Sequence, residues 1–119
     1  MAKKILVVDD EQEILALLEE FLTRKDFQVI TADSGRKALK IIDKGESIDL
    51  ILLDHRMPKL DGTGVLRELE IRQSKVPVIL LTGSLGETIG MIKVDAFLMK
   101  PIDLDELLDK VRELLGRRP

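Results

Sequence analysis

Asp9, Asp10, Asp54, Thr82 and Lys100 are the residues through which this sequence could do chemistry, and each stands at the end of a short apolar run. Asp9 and Asp10 follow Ile5 to Val8, Asp54 follows Leu50 to Leu53, Thr82 follows Val78 to Leu81, and Lys100 follows Ala96 to Met99. Three carboxylates brought together repel one another, and their pKa values rise unless a cation sits among them. A small hard divalent ion such as Mg²⁺ meets that need, because it prefers oxygen ligands and keeps several of its waters. A metal-held carboxylate beside a lysine and a hydroxyl is a place to receive a phosphoryl group. The metal and Lys100 can offset charge on the transferring oxygens, and Thr82 can donate a hydrogen bond to one of them. Carboxylates also act as nucleophiles that form an aspartyl phosphate. Asp54, the lone acid ending a central run, is the candidate for that role.

The elements that must position these side chains follow from the hydrophobic pattern. Continuous apolar runs of four residues suit parallel strands covered on both faces. Val29-Ile30, with Thr31 and Ala32 beyond, is a weaker fifth strand. Helical stripes lie between the runs. Ile14, Leu17, Leu18, Phe21 and Leu22 form the first; Ala38, Ile41 and Ile42 form the second, which ends at Gly45. Leu66 and Leu69 mark a third, and Leu104, Leu107, Leu108, Val111 and Leu115 share one face of the last. Asp103 with Glu106 three residues on resembles a capping box at the start of that last helix. Strand and helix alternating in this way predict a doubly wound α/β sheet with right-handed crossovers. In such sheets ligands sit beyond the carboxyl ends of the strands, which is where all five reactive residues fall.

Composition narrows the function classes. The 119 residues suit one domain, 1–119, with 45% hydrophobic and 34% charged residues. A net charge of −3 argues against a nucleic-acid footprint, which needs a clustered basic face. The absence of cysteine excludes disulfides, thiolate metal sites and a cysteine nucleophile. No apolar run is long enough to span a bilayer, and the start, MAKK, does not resemble a signal peptide. The expectation is a cytoplasmic protein that binds neither membrane nor nucleic acid.

Four segments, "ILVVDDE", "DLILLDHRMPKLDG", "VILLTGS" and "FLMKP", occur in order, each at a strand end. Together they make the chain resemble a response-regulator receiver domain, the phosphoacceptor half of a two-component system, over essentially its whole length. The resemblance implies a flavodoxin-like fold, five parallel strands in the order 2-1-3-4-5 with helices on both faces. It implies that Asp54 accepts a phosphoryl group from the phosphohistidine of a sensor histidine kinase. Mg²⁺ would be bound by Asp10 and Asp54, by Asp9 directly or through water, and by the backbone carbonyl of Arg56. Thr82 and Lys100 would be the switch hydroxyl and the phosphate-binding lysine, and Phe97 the switch aromatic. The Lys100-Pro101 bond is expected to be cis. Such a domain catalyses only its own phosphorylation and dephosphorylation, then signals to a downstream protein.

Plainer readings stand beside these. Asp9-Asp10-Glu11 could be an acidic helix start, Thr82 a β-branched strand residue, Lys100 a solvated charge and Phe97 core packing. His55, the lone histidine, reads as a solvated loop residue, and Met57-Pro58 and Asp61-Gly62 read as turn formers. Lys100 comes only 18 positions after Thr82, a shorter step than the family usually has. A fourth helix over Leu85, Ile89 and Ile92, with Gly83, Gly86 and Gly90 among them, is therefore expected to be short. A haloacid-dehalogenase-like phosphatase also uses an aspartyl nucleophile after a strand, but its second acid is missing, since Asp54 is followed by His55-Arg56. A flavin or nucleotide module would need a phosphate loop after the first strand, where Asp9-Asp10 would instead repel phosphate. A degenerate, non-phosphorylated receiver would have lost one site residue, and none is lost.

Overall fold

A computed structural model describes residues 2–83 and 93–116. Its elements are β1 (Lys4–Val8), α1 (Gln12–Arg24), β2 (Gln28–Ala32), α2 (Gly35–Asp43), β3 (Leu50–Asp54), α3 (Gly62–Ile71), β4 (Val78–Thr82), β5 (Ala96–Met99) and α4 (Leu104–Gly116). The five strands form one sheet in the order β2-β1-β3-β4-β5, and every pairing is parallel. The short helix expected over residues 85–92 lies outside the described residues.

The sheet buries two faces, and side-chain alternation sorts the strands between them. Ile5, Val7, Leu50, Leu52, Ile79, Leu81 and Leu98 pack with α1 and α4. Leu6, Val8, Ile51, Leu53, Val78 and Leu80 pack with α2 and α3 on the other side. Because both faces are covered, the central strands β1, β3 and β4 read as apolar runs rather than as alternating patterns, whereas the edge strands β2 and β5 are only partly buried. Removing roughly 25 cal/mol per Å² of apolar surface from water drives this assembly. Among the described residues, no helix is long and apolar enough to cross a membrane.

Two helices sit differently from their apolar stripes. In α1 the buried residues are Leu15, Leu18 and Leu22, whereas Leu17 is 44% exposed. The run Ile14 to Leu18 is apolar throughout, so periodicity alone does not say which edge of the stripe turns inward. In α4 the expected residues are joined in the core by Leu114. Asp103 caps α4 as anticipated, its Oδ1 accepting from the amides of Asp105 at 2.9 Å and Glu106 at 3.1 Å.

Candidate functional site at the carboxyl edge of the sheet

The central strands β1 and β3 end side by side, since Val8 pairs with Leu53. The next residue on each is an acid. Asp9 is 0% exposed and Asp54 4% exposed. Asp10, the next in line, is exposed to solvent. One carboxylate oxygen from each of Asp9, Asp10 and Asp54 lies within 4.8 Å of the others. Side-chain alternation also explains why Lys100 joins them. Asp54 takes the parity of Leu52, and Lys100 that of Leu98, so both fall on the α1/α4 side with Asp9, which follows Val7. Lys100 Nζ reaches Asp54 Oδ1 at 3.1 Å and Asp9 Oδ2 at 3.2 Å, with Glu11 Oε1 at 3.9 Å. Its backbone is held by a 2.7 Å hydrogen bond from its amide to the carbonyl of Thr82, and the Lys100-Pro101 peptide is cis.

The electrostatics of this cluster are unbalanced. Burial first, and then the Asp9 carboxylate, push the Asp54 carboxyl up from 3.8 to about 6. Lys100 and the backbone amide of Arg56, which donates to the Asp54 carboxylate, pull in the opposite direction without prevailing. For Lys100, burial disfavours the ammonium, but its hydrogen bonds and proximity to Asp54 and Asp9 outweigh this and raise its pKa. Three carboxylates facing one ammonium leave an excess of negative charge. A hard divalent cation with oxygen ligands suits that donor set, so the residues present fit such an ion.

The segment after β3 is built to hold Asp54 in place. The amide of His55 bonds the Leu81 carbonyl at 2.8 Å, and the amide of Gly62 bonds the His55 carbonyl at 3.0 Å. Met57 is buried and anchors the loop to the α2/α3 side of the core. A Cβ on Gly62 would stand 2.5 Å from the Asp54 carbonyl oxygen and 2.9 Å from His55 Cα. Only glycine permits that approach. Asp61, read from sequence as part of a turn, is the N-cap of α3, accepting from the Gly64 amide at 2.9 Å.

The remaining residues are placed as follows. Thr82, 2% exposed, ends β4 beside Asp54. Phe97 lies within β5, half-buried against the α2/α3 side of the core. The Arg56 side chain is exposed. His55 corrects its sequence reading as a solvated loop residue. It is half-buried, and its Nδ1 lies 3.3 Å from Thr82 Oγ1. The signal was available in the alternation. His55 has the parity of Leu53 and Thr82 that of Leu80, so both side chains emerge on the α2/α3 side.

The family model described as the response regulator receiver domain matches residues 5–112. The chain is 45% identical over 120 residues to a probable transcriptional regulator, ycf27, of Porphyra purpurea, covering 97% of this chain and 48% of that protein. It is 41% identical over 118 residues to the transcriptional regulatory protein CpxR of Escherichia coli (strain K12), covering 96% of this chain and 50% of the relative. The chain thus spans about half the length of the curated relatives it matches. Among solved structures, the receiver domain of the Francisella response regulator 1452 superposes with a TM-score of 0.89 at 31% identity, covering 97% of this chain and 98% of that one. With a family model spanning nearly every element of the sheet and a superposition at this level, the chain belongs to the response regulator receiver domain family.

Proposed function

We propose that this chain, residues 1–119, is a receiver unit that takes a phosphoryl group on Asp54 from the phosphohistidine of a sensor histidine kinase and passes the change to a downstream protein. The observation that carries this reading is the environment of Asp54. It is a buried carboxylate at the end of a central strand, 3.1 Å from an ammonium and clustered with two further acids. In the transfer, one Asp54 oxygen forms a bond to phosphorus as the bond from phosphorus to the donor's imidazole nitrogen breaks, and that nitrogen keeps the electron pair. Lys100 holds the Asp54 carboxylate in place and lies where it can offset charge on the incoming oxygens. The Arg56 amide favours the ionised form of Asp54, the form that attacks phosphorus.

Asp9, Asp10, Asp54 and the backbone carbonyl of Arg56 would hold Mg²⁺, which when bound supplies charge stabilisation to a transferring phosphoryl group. Thr82 and Phe97 are the switch residues. Thr82 ends the strand beside β3, and Phe97 sits half-buried on the neighbouring β5, so both can respond to a change at Asp54. The site works on the chain's own aspartate, which makes it a phosphoacceptor rather than an enzyme acting on other molecules. A cytoplasmic setting fits a kinase partner of this kind.

The test is incubation with Mg²⁺ and a small acyl phosphate, followed by intact mass and peptide mapping. One added phosphoryl group is expected on Asp54, dependent on Mg²⁺ and labile to mild base. It should be absent in Asp54→Ala. An unchanged mass in the wild type, or a phosphoryl group that persists in Asp54→Ala, contradicts the reading.

A further inference from the structure

The carboxylate of Asp54 is paired with Lys100 Nζ at 3.1 Å. The Thr82 hydroxyl, at the end of the adjacent strand, has a contact to His55 Nδ1 at 3.3 Å. Alternation explains this division. Asp54 leaves the sheet towards α1 and α4, whereas Thr82 and His55 leave it towards α2 and α3. His55 is fixed in that position from both sides, its amide bonded to Leu81 and its carbonyl to Gly62. With the main chain held, only rotation about the side-chain bonds of His55 carries its ring away from Thr82.

From this geometry we infer that His55 is a positioning residue, the resting-state tether of the Thr82 hydroxyl, and that it sets how readily Thr82 turns to a phosphorylated Asp54. The inference rests on the phosphoacceptor reading above. A hydroxyl has one proton to donate. If Nδ1 accepts that proton, the hydroxyl must leave His55 before it can donate to a phosphoryl oxygen. If Nδ1 carries hydrogen and donates, the bond still holds Oγ1 on the α2/α3 side. Either tautomer favours the resting arrangement. A phosphoryl group on Asp54 then has to draw Thr82 off this partner, and its apparent affinity is reduced by the fraction of molecules in which Thr82 is already released.

The probe is beryllium fluoride with Mg²⁺ at fixed pH, a tetrahedral phosphoryl mimic, titrated calorimetrically and followed by amide chemical shifts. Wild type should bind and Asp54→Asn should not. In His55→Leu the mimic should bind more tightly by roughly two- to tenfold, the range set by the net contribution of one hydrogen bond. His55→Ala serves as a second variant in case leucine disturbs the loop, and the same tightening is expected. His55→Asn, which keeps a hydrogen-bonding atom at the Nδ1 position, should restore an affinity close to wild type. In a Thr82→Ala background, His55→Leu should change nothing. Several results overturn the tether. They are unchanged or weakened binding in both His55→Leu and His55→Ala, a failure of Asn to restore, or an equal gain with and without Thr82. A wild type that does not bind the mimic overturns the phosphoacceptor reading itself and the tether with it. A wild type that binds, with His55 variants indistinguishable from it, overturns the tether alone.

Discussion

Replacing Asp54 with Asn should stabilise the metal-free protein, and the gain should appear with rising pH. Asn imitates the protonated, uncharged carboxyl. In the unfolded chain Asp54 loses its proton near 3.8, whereas in the folded protein burial and the Asp9 carboxylate hold it until about 6. Between those values the folded state binds more protons than the unfolded one, so stability falls as pH rises through the window. Well below 3.8 both states are protonated and the penalty vanishes; well above about 6 both are ionised and it is constant. At ~1.4 kcal/mol for each unit of pKa, the plateau is about 2–3 kcal/mol. For a domain of this size that corresponds to a rise of the order of 10 °C in melting temperature. The assay is urea or thermal unfolding of both proteins in a chelator from about pH 3 to about pH 8, plotted as the difference so that the other carboxylates cancel. The two proteins should match at the acid end and diverge up to the plateau. Millimolar Mg²⁺ should raise the wild type by mass action and leave Asp54→Asn nearly unmoved, narrowing the gap. A difference that is flat with pH, or a wild type that is more stable at neutral pH without metal, refutes the argument that Asp54 is held under electrostatic strain.

Two further outcomes follow from the same site. Gly62→Ala places a methyl group 2.5 Å from the Asp54 carbonyl oxygen, and backbone cannot yield as a flexible side chain would. Destabilisation of about 1–3 kcal/mol is expected, with a slower phosphorylation of Asp54; unfolding and intact-mass time courses check both, and a variant with wild-type stability contradicts the close approach. Asp10→Asn removes the exposed acid of the trio and should weaken Mg²⁺ binding by calorimetry while leaving the fold intact; an unchanged affinity removes Asp10 from the ligand set.

What the sequence determined by itself is what local pattern encodes. Ile5 to Val8, Leu50 to Leu53 and Val78 to Leu81 read as covered parallel strands because a strand buried on both faces has no polar side to show, and Ala96 to Met99 reads the same way although it is a half-exposed edge strand. The residues ending those runs were legible for the same reason, since a parallel sheet brings all its strand ends to one edge. Tertiary structure decided the rest. Which edge of the α1 stripe turns inward depends on how α1 lies on the sheet, and Leu15 rather than Leu17 is buried. Asp61 is a cap rather than a turn residue because α3 begins immediately after it. Gly62, the first residue of α3, matters through its close approach to the strand end at Asp54, which no helix pattern reports. His55 looks in sequence like a lone loop histidine, because Thr82 is 27 residues away and the two meet only through the β3–β4 register. The charge on Asp54 depends likewise on Asp9 and Lys100, drawn from opposite ends of the chain. Periodicity reports the faces of single elements; contacts between elements, and the pKa values they set, exist only once those elements are packed.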